Sequence, residues 1–214
     1  MLTIIPTPIG NLKDITLRAL DALKESEYIL CEDTRRTSKL LNHFEIKNKL
    51  ISFNDHNKER KTPSIINDIK SDKSIGLCSD AGMPGISDPG FYLIRECRNQ
   101  NLPLTVLPGA TASLTALVGS GFPTDEFLFI GFLPKKAAKA KTLLNKLLDQ
   151  NITFIFYESP YRIDKTLKLL QDLAPERNVC IARELTKKFE EYIIGKPSEI
   201  QTKAKGEFTV VVSK

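Results

Sequence analysis

The feature that most constrains this chain is an alternation. Short apolar runs at residues 2–5, 28–31, 50–53, 75–78 and 104–107 are separated by stretches whose apolar residues recur at helical spacing. Residues 14–24 place Ile15, Leu17, Leu20 and Leu23 in this way, and residues 34–44 place Leu40, Leu41 and Phe44. Residues 91–99 and 110–118 follow the later runs. Buried strands that alternate with amphipathic helices predict a mainly parallel sheet with helices on both faces.

The alternation breaks at Gly119-Ser120-Gly121-Phe122-Pro123-Thr124. Two glycines and a proline so close together read as a hinge or linker. Beyond it, residues 127–132, 152–157, 179–182, 191–194 and 208–212 have strand character, and residues 139–148 and 163–173 have helical spacing. Strands now also follow strands, which predicts a mixed sheet. The reading is therefore a two-lobed α/β fold, with one lobe over residues 1–119 and the other over 120–214.

A chain of 214 residues can bury a core without disulfides or a structural metal. The four cysteines, Cys31, Cys78, Cys97 and Cys180, contain no C-x-x-C pair and read as buried thiols in a reducing compartment. The start, MLTIIPTPIGN, lacks the basic and then long apolar pattern of a signal peptide, and no run reaches the ~20 apolar residues of a membrane span. The cytoplasm is the expected location. The net charge of +5 is compatible with an anionic partner without requiring one.

In an open α/β sheet, chemistry gathers at the carboxyl ends of the strands. The first run ends in Pro6-Thr7-Pro8-Ile9-Gly10-Asn11, the second in Cys31-Glu32-Asp33-Thr34-Arg35, and the third in Asn54-Asp55-His56-Asn57. The fourth ends in Ser79-Asp80-Ala81-Gly82-Met83-Pro84-Gly85-Ile86-Ser87-Asp88-Pro89-Gly90, and the fifth in Pro108-Gly109-Ala110-Thr111-Ala112-Ser113. The fourth loop holds three glycines, two prolines and two aspartates. Its glycines allow close backbone approach to a ligand, and its N–H groups can hold a carboxylate or phosphate. Familiar alternatives fail. There is no G-x-G-x-x-G and no G-x-S-x-G, and Phe91-Tyr92 stands where a phosphate loop needs Lys-Ser/Thr. His43 and His56 are the only histidines, too few for a three-histidine metal site, and no metal is expected. His43 reads as a surface residue.

The second half adds Phe156-Tyr157-Glu158-Ser159-Pro160-Tyr161-Arg162 and Ala182-Arg183-Glu184-Leu185-Thr186-Lys187. Each puts an acid and a base just past a strand, and a buried glutamate there needs a partner. Arg162 and Arg183 are the expected partners. Gly131-Phe132-Leu133-Pro134 opens onto Lys135, Lys136, Lys139, Lys141 and Lys146, which suit phosphates or a solvated helix face.

Taken in order, these motifs resemble one family. It is the ribosomal RNA small-subunit methyltransferase I group of the tetrapyrrole-methylase-like superfamily. The resemblance rests on Thr7-Pro8-Ile9-Gly10-Asn11-Leu12, Cys31-Glu32-Asp33-Thr34-Arg35, the long fourth loop, Pro108-Gly109-Ala110, Gly131-Phe132-Leu133-Pro134, Tyr157-Glu158-Ser159-Pro160 and Ala182-Arg183-Glu184-Leu185-Thr186-Lys187. It implies 2′-O-methylation of a cytidine ribose in 16S rRNA of the 30S subunit, with S-adenosylmethionine as donor and S-adenosylhomocysteine as product. It also implies a homodimer and a cofactor bound between the lobes. Two departures stand out: the further small C-terminal domain usual in the family is absent from these residues, and Lys58 separates Asn57 from Glu59 where the family usually reads His-Asn-Glu.

On this resemblance the expected donor-binding residues are Pro8, Gly10, Asp80, Ala81, Gly82, Ile86, Ser87, Leu107, Ala110, Thr111, Phe132, Leu133, Glu158, Ala182 and Thr209. Leu107, Phe132 and Leu133 are expected to line the adenine pocket. RNA contacts are expected from Arg35, Arg36, Lys135, Lys136 and Arg162. A ribose hydroxyl needs its proton taken up or polarised. The candidates are Glu32, Asp33, His56 and Glu184, or Lys187 if its pKa is lowered. Two rival readings are a tetrapyrrole C-methyltransferase of the same fold and a non-catalytic RNA-binding or ribosome-assembly module.

Overall fold

A computed structural model describes residues 1–214. It divides into two units, Met1–Thr111 and Ala112–Lys214. In the first, strands β1 (Leu2–Ile4), β2 (Tyr28–Cys31), β3 (Leu50–Ser52), β4 (Ile75–Leu77) and β5 (Leu104–Val106) alternate with helices α1 (Leu17–Glu25), α2 (Thr34–His43), α3 (Lys58–Lys70) and α4 (Phe91–Asn99). All strand pairs are parallel, in the order β3-β2-β4-β1-β5.

The period-two alternation of these strands feeds two cores. Leu2, Ile4, Tyr28, Leu30, Ile75 and Leu77 face Ile65, Ile66 and Ile69 of α3 and Leu93 and Cys97 of α4. Ile5, Ile29, Cys31 and Cys78 face Ala19 and Leu23 of α1 and Leu40 and Leu41 of α2. Each fully buried Leu or Ile contributes about 1.5–3 kcal/mol. The connections β1→β2→β3 run toward one edge with α1 and α2 on one face. The connections β3→β4→β5 run back with α3 and α4 on the other. Right-handed crossovers require a change of face when the direction reverses. The reversal leaves a crevice at the carboxyl end of β4, between β2 and β1.

Helix starts are set by caps. The Thr16 Oγ1 accepts from the Ala19 N–H (3.1 Å), so α1 begins at Leu17. Leu12 lies in a 3-10 turn, Leu12–Asp14, and Ile15 caps that turn rather than joining the helix. Helix α3 was not anticipated, because its opening residues are polar and Pro63 lies inside it.

The second unit contains α5 (Ala112–Ser120), β6 (Phe127–Phe132), α6 (Ala137–Asp149), β7 (Thr153–Glu158), α7 (Ile163–Leu173), β8 (Val179–Arg183), β9 (Glu191–Gly195) and β10 (Phe208–Val212). The sheet order is β6-β7-β10-β8-β9, with β6 and β7 parallel and the other pairs antiparallel. This is the expected mixed sheet. One face packs Phe154, Phe156, Val179, Ile181, Val210 and Val212 on Leu144 and Leu147 of α6 and Leu167 and Leu170 of α7. The expected boundary at 119–124 lies later than the observed division. Helix α5 belongs wholly to the second unit, with Ala116 and Leu117 buried. It packs against its sheet so closely that a β-carbon on Gly119 would lie 2.3 Å from the Tyr192 ring. Gly119 and Ser120 therefore end α5, and only Gly121 onward leads out of it. All four cysteines are buried and unpaired.

Candidate active site

In the first unit, the loops after β1, β4 and β5 close on one another. Thr7 and Gly82 exchange two backbone hydrogen bonds (3.0 and 2.9 Å). The Thr7 hydroxyl donates to the Ser79 carbonyl at 3.2 Å. A β-carbon on Gly109 would lie 2.5 Å from Pro6 Cβ, so only glycine lets the β5 loop approach the β1 loop this closely. Gly82 has φ +78°, and a β-carbon there would lie 3.3 Å from Ile9 Cγ2 and 3.5 Å from the Ala110 carbonyl oxygen. The sequence Pro6 to Gly10, Ser79 to Gly90 and Pro108 to Ala110 thus builds one continuous rim.

The β2 loop is tied to this rim by Asp80. One carboxylate oxygen accepts from the Asp33 N–H (3.1 Å), and the other lies 3.3 Å from the Arg36 guanidinium. Asp33 caps α2 by accepting from the Arg35 N–H (2.9 Å). The Arg35 side chain clamps the same carboxylate at 3.0 and 2.6 Å and holds it well below the usual carboxylate range.

Two further carboxylates share the crevice. Burial raises the pKa of Glu32, and the charges of Asp80 and Asp55 raise it further. Burial and the charge of Glu32 push Asp88 up to about 6, although a Ser79 hydrogen bond opposes them. Asp88 is absent from the residues singled out by sequence. Its only signal was its place in the long loop before Pro89-Gly90. A carboxyl whose folded pKa lies above its unfolded value of about 3.9 binds more protons in the folded state. Its contribution to stability is therefore present at low pH and falls as pH rises from about 4 to about 6. Asp88→Asn is expected to be more stable than the parent at pH 7.5 by about 1 kcal/mol after solvent screening, and so to melt at a higher temperature. That gain should vanish at pH 4, as measured by paired thermal melts.

The second unit collects other candidates. The Glu158 side chain is fully buried. It accepts from the Ser159 N–H (2.7 Å) and the Thr166 hydroxyl (2.7 Å), and Arg162 Nε lies 3.4 Å away. Arg162 also donates to the carbonyls of Leu133 (3.1 Å) and Pro134 (3.0 Å). These two residues thus clasp the β7–α7 turn to the β6–α6 turn, with Arg162 committed to backbone and Glu158. Arg183 pairs with Glu191 at 2.5 Å. Lys187 bridges Glu184 (3.0 Å) and Glu207 (2.9 Å). Burial alone would lower the Lys187 pKa, but the two carboxylates outweigh it and raise it. Lys187 therefore stays an ammonium, which removes the condition under which it was a candidate base. Burial alone would raise Glu184, yet Lys187 and the Glu207 N–H bring it below the usual range.

Glu32, Asp80, Ala81, Gly82, Ser87, Pro8 and Ala110 lie on the loops that follow β1, β2, β4 and β5 in the first unit. Gly10 is exposed on the β1 loop, Ile86 is exposed on the β4 loop, and Thr111 closes the unit. His56 is exposed in the turn after β3, its N–H bonded to Asn54 Oδ1 (3.1 Å). Leu107 and Leu133, expected to line an adenine pocket, point into hydrophobic cores, so their side chains are unavailable to a ligand. Phe132 is 57% exposed and stacks edge-on with Tyr157. Ala182 and Thr209 are buried register partners on β8 and β10. Arg35 and Arg36 project from the first turn of α2, with side chains 87% and 66% exposed. Lys135 and Lys136 are exposed before α6.

The tetrapyrrole (corrin/porphyrin) methylase family model matches residues 1–201. The chain belongs to this family. A protein of Halalkalibacterium halodurans named ribosomal RNA small subunit methyltransferase I is 44% identical over 99% of this chain and 75% of its own length. A protein of Hydrogenobaculum with the same name is 45% identical over all of this chain and 95% of its own length. Relatives of both lengths therefore carry that name. Among solved structures, the methyltransferase CobJ superposes with a TM-score of 0.75 at 17% identity, covering 100% of this chain and 93% of that one. Uroporphyrin-III C-methyltransferase of Thermus thermophilus, solved with S-adenosyl homocysteine, gives 0.66 at 14% identity, covering 100% and 97%. At these identities the likeness shows the shared fold: a parallel sheet in the first unit and a mixed sheet in the second.

Proposed function

We propose that this protein transfers the methyl group of S-adenosylmethionine to the 2′-oxygen of a cytidine ribose in 16S ribosomal RNA, acting on the 30S subunit as a cytoplasmic homodimer. Family membership supports methyl transfer, and the names of relatives at 44–45% identity support an rRNA acceptor. The tetrapyrrole enzymes share only the fold at 14–17% identity, which favours the RNA reading over C-methylation of a tetrapyrrole.

The observation that carries the reading is the convergence of the β1, β4 and β5 loops through Gly82 and Gly109. Such a rim suits a donor with a ribose and an amino-acid tail, because close backbone approach exposes peptide groups to both. Pro8, Asp80, Ala81, Ser87 and Ala110 are the residues assigned to hold it. When bound, the donor supplies a methyl group on a positively charged sulfonium. Holding the acceptor oxygen in line provides much of the rate, and the protein's remaining task is the proton. We assign that proton to Glu32, whose raised pKa makes it a better acceptor than an ordinary surface carboxylate. The charges of Asp80 and Asp55 support it by repelling its negative charge. His56 and Asp33 are the weaker choices: one is exposed, and the other is neutralised by Arg35.

Titration calorimetry with S-adenosylmethionine tests the donor site. Asp80→Ala frees the Glu32-Asp33 turn as well as removing a donor contact. It is expected to weaken binding at least tenfold, about 1.4 kcal/mol, with far-UV circular dichroism unchanged. Parental affinity in Asp80→Ala would remove Asp80 from the site.

A further inference from the structure

One end of the second sheet carries exposed aromatic rings that no part of the donor or proton chemistry uses. Strands β7 and β8 both end there, on either side of the start of β10. Their carboxyl ends are therefore about 10 Å apart, twice the spacing of neighbouring strands. Tyr161, in the turn after β7, is 90% exposed. Phe189, in the loop after β8, is 65% exposed.

Neither ring sits on a loose segment. The Tyr161 N–H donates to Ser159 Oγ (3.3 Å), and the Arg162 N–H to the Ser159 carbonyl (2.9 Å). That turn is anchored by buried Glu158, which accepts from the Ser159 N–H. In the β8 loop, the Thr186 N–H donates to the Glu190 carboxylate (2.5 Å) and the Glu190 N–H to the Lys187 carbonyl (3.1 Å). Glu184, at the start of this loop, packs on Gly206 of the segment before β10. A large ring carried in water gains nothing for the fold, whereas an anchored backbone beneath it lowers the cost of stacking a planar ligand.

Lysines stand on both segments at this end. The Lys188 ammonium lies 5.7 Å from the centre of the Phe189 ring. Lys203 and Lys205 are exposed on the segment that Gly206 brings against the β8 loop. Of the acids nearby, Glu184 and Glu207 are paired with Lys187, Glu191 with Arg183, and Glu190 is bonded to the Thr186 N–H.

We infer that Tyr161 and Phe189 form a stacking platform for the unpaired bases of a single-stranded RNA segment, with Lys188, Lys203 and Lys205 along its phosphates. Aromatic faces alternating with lysines are the combination that single strands require. Stacking tolerates any base, and the ammonium groups follow the backbone. This rests on the RNA reading above and specifies which form of RNA the second unit grips.

The test is fluorescence anisotropy of the full chain with a labelled, unstructured oligoribonucleotide of about twelve nucleotides, within the range of single-strand binding sites. Tyr161→Ala and Phe189→Ala are each expected to weaken binding about tenfold. The double variant should lose about a hundredfold, with S-adenosylmethionine affinity and melting temperature unchanged. Tyr161→Phe should bind like the parent, since the ring face is retained. Replacing Lys203 and Lys205 by alanine should flatten the dependence of affinity on salt. Alanine variants that bind within twofold of an RNA-binding parent would overturn the platform and leave the RNA reading standing. A parent that binds no oligoribonucleotide would likewise overturn the platform, while methyl transfer to 30S subunits tests the RNA reading separately.

Discussion

Glu158→Leu is expected to destabilise the second unit by about 3 kcal/mol, the usual cost of leaving the partners of a buried charge uncompensated. The carboxylate accepts from the Ser159 N–H and the Thr166 hydroxyl and faces the Arg162 guanidinium. Leucine satisfies none of them. Arg162 would keep its bonds to the Leu133 and Pro134 carbonyls while losing its counter-charge. Melting temperature should fall by about 10 °C. Glu158→Gln retains an acceptor for Thr166 and should lose less than half as much. A urea titration in which Glu158→Leu falls within 1 kcal/mol of the parent would show that the clasp carries little of the unit's stability.

Glu32→Gln is expected to lower kcat about a hundredfold or more, the range for loss of a positioned general base, while donor affinity changes less than twofold. The amide keeps the size of the side chain and removes the proton acceptor. The parent's rate should fall on the acid side as Glu32 takes up a proton, and this limb should be missing in the variant. Single-turnover methyl transfer across pH 4.5–8 checks both. A variant retaining a third or more of the parental rate would return the role to the other acids. Lys187→Met, in contrast, should act on stability, since its ammonium bridges Glu184 and Glu207.

The central strands β1, β2 and β4 were legible because side chains on both faces are buried in two cores, leaving short unbroken apolar runs such as Tyr28–Cys31. Helix α3 was not, because its apolar residues, Ile65, Ile66 and Ile69, begin only after a polar turn and Pro63. The unit boundary was misplaced for a related reason. A glycine next to Tyr192 and a glycine in a turn look alike in sequence, and only packing shows that Gly119 belongs to α5. In the site, loop membership was readable from Gly, Pro and Asp at strand ends. The direction of an apolar side chain at a strand end was not. Leu107 and Leu133 turn into the cores, whereas Phe132 stays largely exposed. Asp88 was missed because its distinction is electrostatic, arising from burial beside Glu32, residues far apart in the chain. Likewise Glu158 and Arg162 have the composition of a site, but their geometry is that of a structural clasp.

The most direct test of the central claim is transfer of labelled methyl from S-adenosylmethionine to 30S subunits that lack the modification, followed by digestion of the 16S RNA to nucleosides. Label is expected in a single product, 2′-O-methylcytidine, formed about a hundredfold more slowly by Glu32→Gln. Label on a base, on another nucleoside, or none at all with a protein that binds the donor would contradict that claim.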